Sequence, residues 1–220
     1  MTAPFIQNHH LNVIKQKSIH IQNSFSDVKD DEVLQIVKSQ AAEDIKQTFP
    51  TLNENENKVI DGISNVRSSI EVEAFIGSIY PYVKHFPEIG ETSLYHLFPY
   101  TKKLTYPDLV AIDFSRLTYL GWNDIAKHRK YIVYELDGEL VGLEGRYTPV
   151  NRHHHCVFCR QSAKTALVSF RTNEYSSENP DYYRSIGHYM CVDSSDCNRH
   201  ITDVSHLDSF IRSILTPKKG

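Results

Sequence analysis

Cysteine is missing from the first 155 residues, and the whole 220-residue chain has only four. A fold stapled by disulfides along its length is therefore excluded. No run of 18 apolar residues occurs, so no segment reads as a membrane span. The opening Met1-Thr2-Ala3-Pro4-Phe5 lacks a basic stretch followed by an apolar one, which makes the reducing cytoplasm the expected compartment. Positive charge is not in excess either. With 24 Lys+Arg against 27 Asp+Glu, the net charge is −3 and the pI about 6.4. That balance argues against a bulk nucleic-acid binder and against specific DNA recognition. Catalytic signatures are also absent. There is no H-E-x-x-H, no H-x-E partnered with P-C-x-x-C, and no nucleophile–base pair that stands out, so an enzyme is not expected.

The charge that is present is unevenly divided. Residues 1–115 carry 10 Lys+Arg and 15 Asp+Glu, a balance of −5, whereas residues 116–220 carry 14 and 12, a balance of +2. The C-terminal part thus suits an acidic partner better than the N-terminal part does. Tyrosine is plentiful, at 13 residues, which offers aromatic surface to a partner.

The four cysteines fall into two close pairs, Cys156-Val157-Phe158-Cys159 and Cys191 with Cys197. Two thiolates separated by two residues can grip one cation from a tight turn, and a second pair a few tens of residues later can close the tetrahedron. Zn²⁺ held by four protein sulfurs is a closed, structural site, so one structural Zn²⁺ on Cys156, Cys159, Cys191 and Cys197 is expected. The five residues between Cys191 and Cys197 suit one ligand at a strand end and the next at a helix start. His153, His154, His155 and His188 lie beside the cysteines and could compete for the metal, although four sulfurs already fill the shell. Inert thiols or a redox pair are the alternatives. A thioredoxin-like pair would place its C-x-x-C at the start of a helix after a βαβ-type strand. Here the first pair follows one strand-rich stretch and precedes another.

The first hundred residues read as helices. Apolar residues in 5–23 recur loosely at helical spacing, and Ser24 to Asp31 reads as a polar break. Asp30 or Asp31 can cap a helix whose stripe is Val33, Leu34, Ile36, Val37, Ala41, Ile45 and Phe49, ended by Pro50. Asn53 with Glu56, and Ser68 with Glu71, have the spacing of capping boxes. The stripe after Ser68 runs to Val83, with Pro87 as its stop, and Thr92 opens a shorter helix ended by Pro99. Four amphipathic helices with short connections imply an antiparallel bundle. From Leu104 the texture changes. Tyr131 to Tyr134 and Leu140 to Leu143 flank Asp137-Gly138, a hairpin signal. Thr165 to Phe170 and Gly187 to Cys191 read as two more strands around a polar loop at 172–185, and Val204 to Leu215 as a final helix. The expected fold class is α+β: an N-terminal antiparallel helical bundle over 1–103, then a mixed α/β domain over 104–220 with a treble-clef-like Cys₄ zinc finger.

Three blocks together carry a resemblance. They are Gly121-Trp122-Asn123-Asp124-Ile125-Ala126, Arg129-Lys130-Tyr131-Ile132-Val133-Tyr134, and the cysteine pattern with Tyr189-Met190-Cys191-Val192-Asp193-Ser194 and Cys197-Asn198. The chain resembles the FusB-type fusidic acid resistance proteins over nearly its whole length, most strongly from Leu120 onward. The resemblance implies a helical N-terminal part, a C-terminal zinc domain and a non-enzymatic action. It implies 1:1 binding of elongation factor G and its release from ribosomes stalled by fusidic acid, without modification of the drug, with the ribosome met only indirectly. Carried over by position, it implies partner contacts at His155, Ile186, Tyr189 and Phe210, with Arg184 close enough to supply the cation expected near Ile186. Trp122 reads instead as a core or inter-domain anchor. A second reading is a zinc module that binds RNA or the ribosome directly, through Arg152, Arg160, Lys164, Arg171 and Arg199 around the cysteines. An adhesin role, attached to some related sequences, fits poorly with the missing secretion signal.

Overall fold

Capping side chains set where the first helices begin. In the computed structural model, which describes residues 2–172 and 184–215, the chain divides into two units between His85 and Phe86. Within the first unit, Gln7 and His10 close a capping box at the start of α1 (Asn8–Asp27). Asp30 accepts from Glu32 N–H and opens α2 (Asp31–Lys46). Asn53 and Glu56 satisfy each other's backbone at α3 (Glu54–Asp61), and Ser68 accepts from Glu71 N–H ahead of α4 (Ser69–Ile79). The apolar stripes meet in one core, in which Ile6, Leu11, Ile14, Ile21, Ile45, Ile60, Ile63 and Ile79 are fully buried. Helix α1 packs on α2 and α4, and α2 on α3.

Two boundaries differ from the sequence reading. Helix α1 continues through Ser24 to Asp27, because that turn keeps its carbonyls occupied: Ser24 Oγ donates to His20 O, and Val28 N–H to Ser24 O. Helix α4 stops well before Pro87. Pro81, which has no N–H to donate, turns the chain into a 3-10 turn at Tyr80–Tyr82, and Val83 then bridges to Ile6.

The second unit is built on a five-stranded antiparallel meander: β1 (Leu120–Asp124), β2 (Arg129–Leu136), β3 (Glu139–His155), β4 (Ser162–Arg171) and β5 (Ser185–Cys191). The β2–β3 hairpin closes at Asp137 and Gly138, both at positive φ, the geometry that makes this dipeptide a hairpin turn. Strand β2 is buried on both faces from Lys130 to Tyr134. On one side, Tyr131 and Val133 pack with Phe86, Leu94, Phe98 and Leu120. Phe98 belongs to the end of α5 (Glu91–Leu97), so residues 86–103, read from sequence as bundle, pack with the sheet. On the other side, Ile132 and Tyr134 join the core beneath α7 (Ser205–Leu215) and the cysteines. Arg212 on α7 grips the Asp137 carboxylate with two bonds, of 2.8 and 2.6 Å, and so clamps the helix to the hairpin turn. The segment 173–183, which holds most of the expected polar loop, lies outside the described residues.

Candidate metal centre and the surface beside it

Each cysteine is delivered by a different piece of local structure. Cys156 and Cys159 sit on the knuckle between β3 and β4, where Arg160 takes a positive φ and donates its N–H to Cys156 O at 3.0 Å. Cys191 is the last residue of β5. Cys197 lies in the first turn of α6 (Ser194–His200), which is capped by Asp193 through Ser195 N–H at 2.8 Å and Asp196 N–H at 3.1 Å. All four thiols are buried, and their sulfurs lie within 4.8 Å of one another. Cys156 to Cys197 measures 3.7 Å and Cys159 to Cys191 3.6 Å. Four sulfurs at the usual Zn–S length of about 2.3 Å stand about 3.8 Å apart around a tetrahedral ion. The donor set and its spacing therefore fit Zn²⁺. The neighbouring histidines are otherwise engaged: His155 with Arg160 O, His154 stacked on Tyr189, and His188 edge-on to Phe210.

The electrostatics call for a cation as well. Hydrogen bonds from Cys159 first, then Cys191 and Cys197, pull the Cys156 thiol down, and hydrogen bonds to Cys156 first, then Cys159, push Cys191 and Cys197 up. Four thiols this close cannot all ionise unless a metal ion displaces their protons and offsets the thiolate charge. Around them lies a shell that the sequence reading did not single out. Tyr119 is fully buried and, among the described residues, its hydroxyl makes no well-formed hydrogen bond although it faces Cys197 and Ser194; burial first, then Cys197, pushes the phenol up. An O–H left over beside sulfur is placed to donate to a metal-bound thiolate. Lys130, also fully buried, donates to Ser194 Oγ at 3.0 Å, Asn123 Oδ1 at 3.1 Å and Cys191 O at 3.2 Å. Burial pushes this ammonium down to about 8 while Cys197, Cys156 and Cys191 pull it back up. Among the described residues it forms no ion pair with a carboxylate, so the sulfurs, with a smaller share from Asp193, are its counter-charge. Asn198 completes the shell, accepting from the N–H groups of Thr118 and Tyr119 and donating to Tyr119 O and Ser194 O.

This shell accounts for the first sequence block. At Gly121 a Cβ would come within 2.5 Å of the Tyr119 ring and 2.6 Å of Ser194 Oγ, so only glycine lets β1 pass. Asn123 Nδ2 donates to Val192 O at 2.8 Å, tying β1 to the turn between the last two cysteines. Trp122 stacks on Tyr131 and donates to Thr105 O at 2.7 Å, an anchor within the second unit.

The family described as FBP C-terminal treble-clef zinc-finger matches residues 99–212, which include all four cysteines and the shell around them. The chain belongs to the FusB-type family. A second family description, elongation factor G-binding protein, N-terminal, matches residues 5–87. One solved structure, titled as that of the fusidic acid resistance protein FusC, is similar at 28% identity and a TM-score of 0.77, over 95% of this chain and 97% of that one. No curated protein matches at a significant level. Among the described residues, no helix is long and apolar enough to cross a membrane. The treble-clef site with one structural Zn²⁺ is thus a family property, carried here by Cys156, Cys159, Cys191 and Cys197.

The contact positions implied by the FusB-type resemblance do not form one patch. Strand β5 is the edge of the sheet, and its residues alternate between faces. Tyr189 lies on the open face, 37% exposed, its ring parallel to that of His154 at 3.9 Å. Ile186 and His188 point the other way, toward α7. His155 is exposed at the knuckle, and Arg184 is exposed just before β5. Phe210 differs from expectation. It is 5% exposed and packs edge-on against Phe158, Phe170 and His188, because its helix must bury that stripe to cover the sheet.

Proposed function

We propose that this protein binds elongation factor G one to one and frees it from ribosomes stalled by fusidic acid, protecting translation in the cytoplasm without altering the drug. What carries the reading is coverage. Both units match parts of one protein family, and the likeness to a fusidic acid resistance protein extends along nearly the whole chain. The binding surface in this reading is the β5 edge with the adjoining knuckle, where Tyr189, His155, Ile186 and Arg184 are reached together only by a partner that grips the edge from both faces. Tyr189 is the anchor, since a stacked and half-exposed aromatic gives large contact area at little entropy cost. Phe210 acts from beneath, by holding His188. The zinc has no chemical step to perform; it fixes the knuckle against the end of β5. A partner that binds only some states of the factor shifts the factor toward those states, and this suffices for release.

Calorimetry of the zinc-loaded protein with elongation factor G from the matched host, without ribosomes, tests the first half. A saturable 1:1 isotherm is expected, and its absence with folded protein would overturn the reading. Stopped-flow release of labelled factor from drug-stalled ribosomes tests the second half, where acceleration on adding the protein is expected.

A further inference from the structure

Away from the cysteines, the open face of the sheet holds a cleft of about 820 Å³ lined by Tyr100, Arg129, Glu144, Arg146, Ser169, Arg171 and Ser185. Its cations are set by register. Arg129 on β2 pairs directly with Arg146 on β3, Arg146 with Ser169 on β4, and Arg171 with Ser185 on β5. Like charges directly opposite on neighbouring strands are unfavourable, and among the described residues that line the cleft Glu144 is the one carboxylate that can offset the Arg129–Arg146 pair. Glu144 is already used twice, accepting from Arg129 Nε at 2.8 Å and from the Thr101 hydroxyl. Among the described residues, exposed Arg146 makes no ion pair and the Ser169 hydroxyl has no partner. At the rim stands Tyr100, 96% exposed.

We propose that this cleft binds the phosphodiester backbone of single-stranded or looped RNA. Guanidinium groups and serine hydroxyls match phosphate oxygens, and the repulsion between Arg129 and Arg146 is relieved when a phosphate sits between them. The exposed ring decides between polyanions: a tyrosine face beside a phosphate site stacks a base, and an acidic peptide has none to offer. The assignment stands whether or not the protein binds an elongation factor.

The test is fluorescence polarisation of a labelled, unstructured RNA of about 12 nucleotides with the full-length, zinc-loaded protein. Two phosphates neutralised on a single strand give a log–log salt slope of about −1.4, or roughly sevenfold weaker binding between about 50 and 200 mM salt. Arg146→Glu should weaken binding at least tenfold and flatten that slope, and Arg146→Gln, which removes the charge without reversing it, should do so partly. Tyr100→Ala should weaken binding several-fold and leave the slope unchanged. Absence of saturable binding at low salt, full binding by both Arg146 variants, or displacement of RNA by polyglutamate at lower concentration than by unlabelled RNA would each overturn the assignment.

Discussion

Lys130 has the least expected environment of any residue in the chain. A lysine within Arg129-Lys130-Tyr131-Ile132-Val133-Tyr134 reads as the polar member of a strand, yet it is fully buried and meets only neutral acceptors. A metal held by four thiolates carries two net negative charges, and this ammonium offsets part of that excess. Lys130→Met should therefore weaken zinc binding about 10- to 100-fold in a chelator competition; unchanged affinity would mean that the charge is balanced elsewhere. The cysteines were legible because their spacing is local. Lys130 and Tyr119 were not, because what buries them arrives from β5 and α6, far along the chain. Phe210 misleads for a related reason. Its helix spacing shows that it belongs to an apolar stripe, while the sheet beneath α7 decides its exposure. Two substitutions separate these roles. Tyr189→Ala should weaken factor binding by about 2 kcal/mol, roughly thirtyfold by calorimetry, with little change in Tm. Phe210→Ala should cost about 3–5 kcal/mol of stability in thermal or urea unfolding.

At the scale of elements, helix α1 carries a pH sensitivity of its own. The His10 ring lies 3.9 Å from Phe49, and its Nδ1 accepts from Gln7 N–H at 3.2 Å. Burial first, then the charge of His9, pushes it down to about 3. The unfolded chain, with an ordinary imidazole near 6.5, therefore takes up a proton before the folded one does. Its contribution is complete above pH 6.5 and is lost as pH falls from there toward 3, at up to about 1.4 kcal/mol per unit. Between pH 7 and pH 5 the protein should lose about 2 kcal/mol more than a His10→Gln variant, in urea titrations followed by helical circular dichroism. Helices α2 and α3 and the Asp137-Gly138 hairpin were readable because cap and turn residues act within a few positions. The end of α4 was misread because an apolar stripe continued past Pro81 into Val83, a residue buried by its bridge to Ile6 rather than by a helix. Strand β1 showed itself only as a motif, since Gly121, Trp122 and Asn123 each answer to a neighbour and not to an alternating pattern.

For the molecule as a whole, the metal and the helical core belong to separate units, each with its own buried cluster. Zinc binding and folding are linked wherever ligands come from distant segments, as Cys156 and Cys197 do. Chelation, or Cys156→Ser, should abolish zinc content and factor binding together. Hydrogen exchange should then show β4, β5 and α6 open while α1, α2 and α4 keep their protection. Uniform loss of protection in both units would show that they fold as one.

The order in which these parts leave the ribosome follows from the same division. Helices α1 to α4 are complete before the first cysteine has been translated, and the last ligand is added some 40 residues after it. Domains fold as they emerge, so metal capture finishes a chain whose first half is already built. In a zinc-starved cell such chains would stall at that halfway point, with β4, β5 and α6 open and in reach of proteases. The abundance of this protein would then track the cell's zinc supply as closely as it tracks transcription.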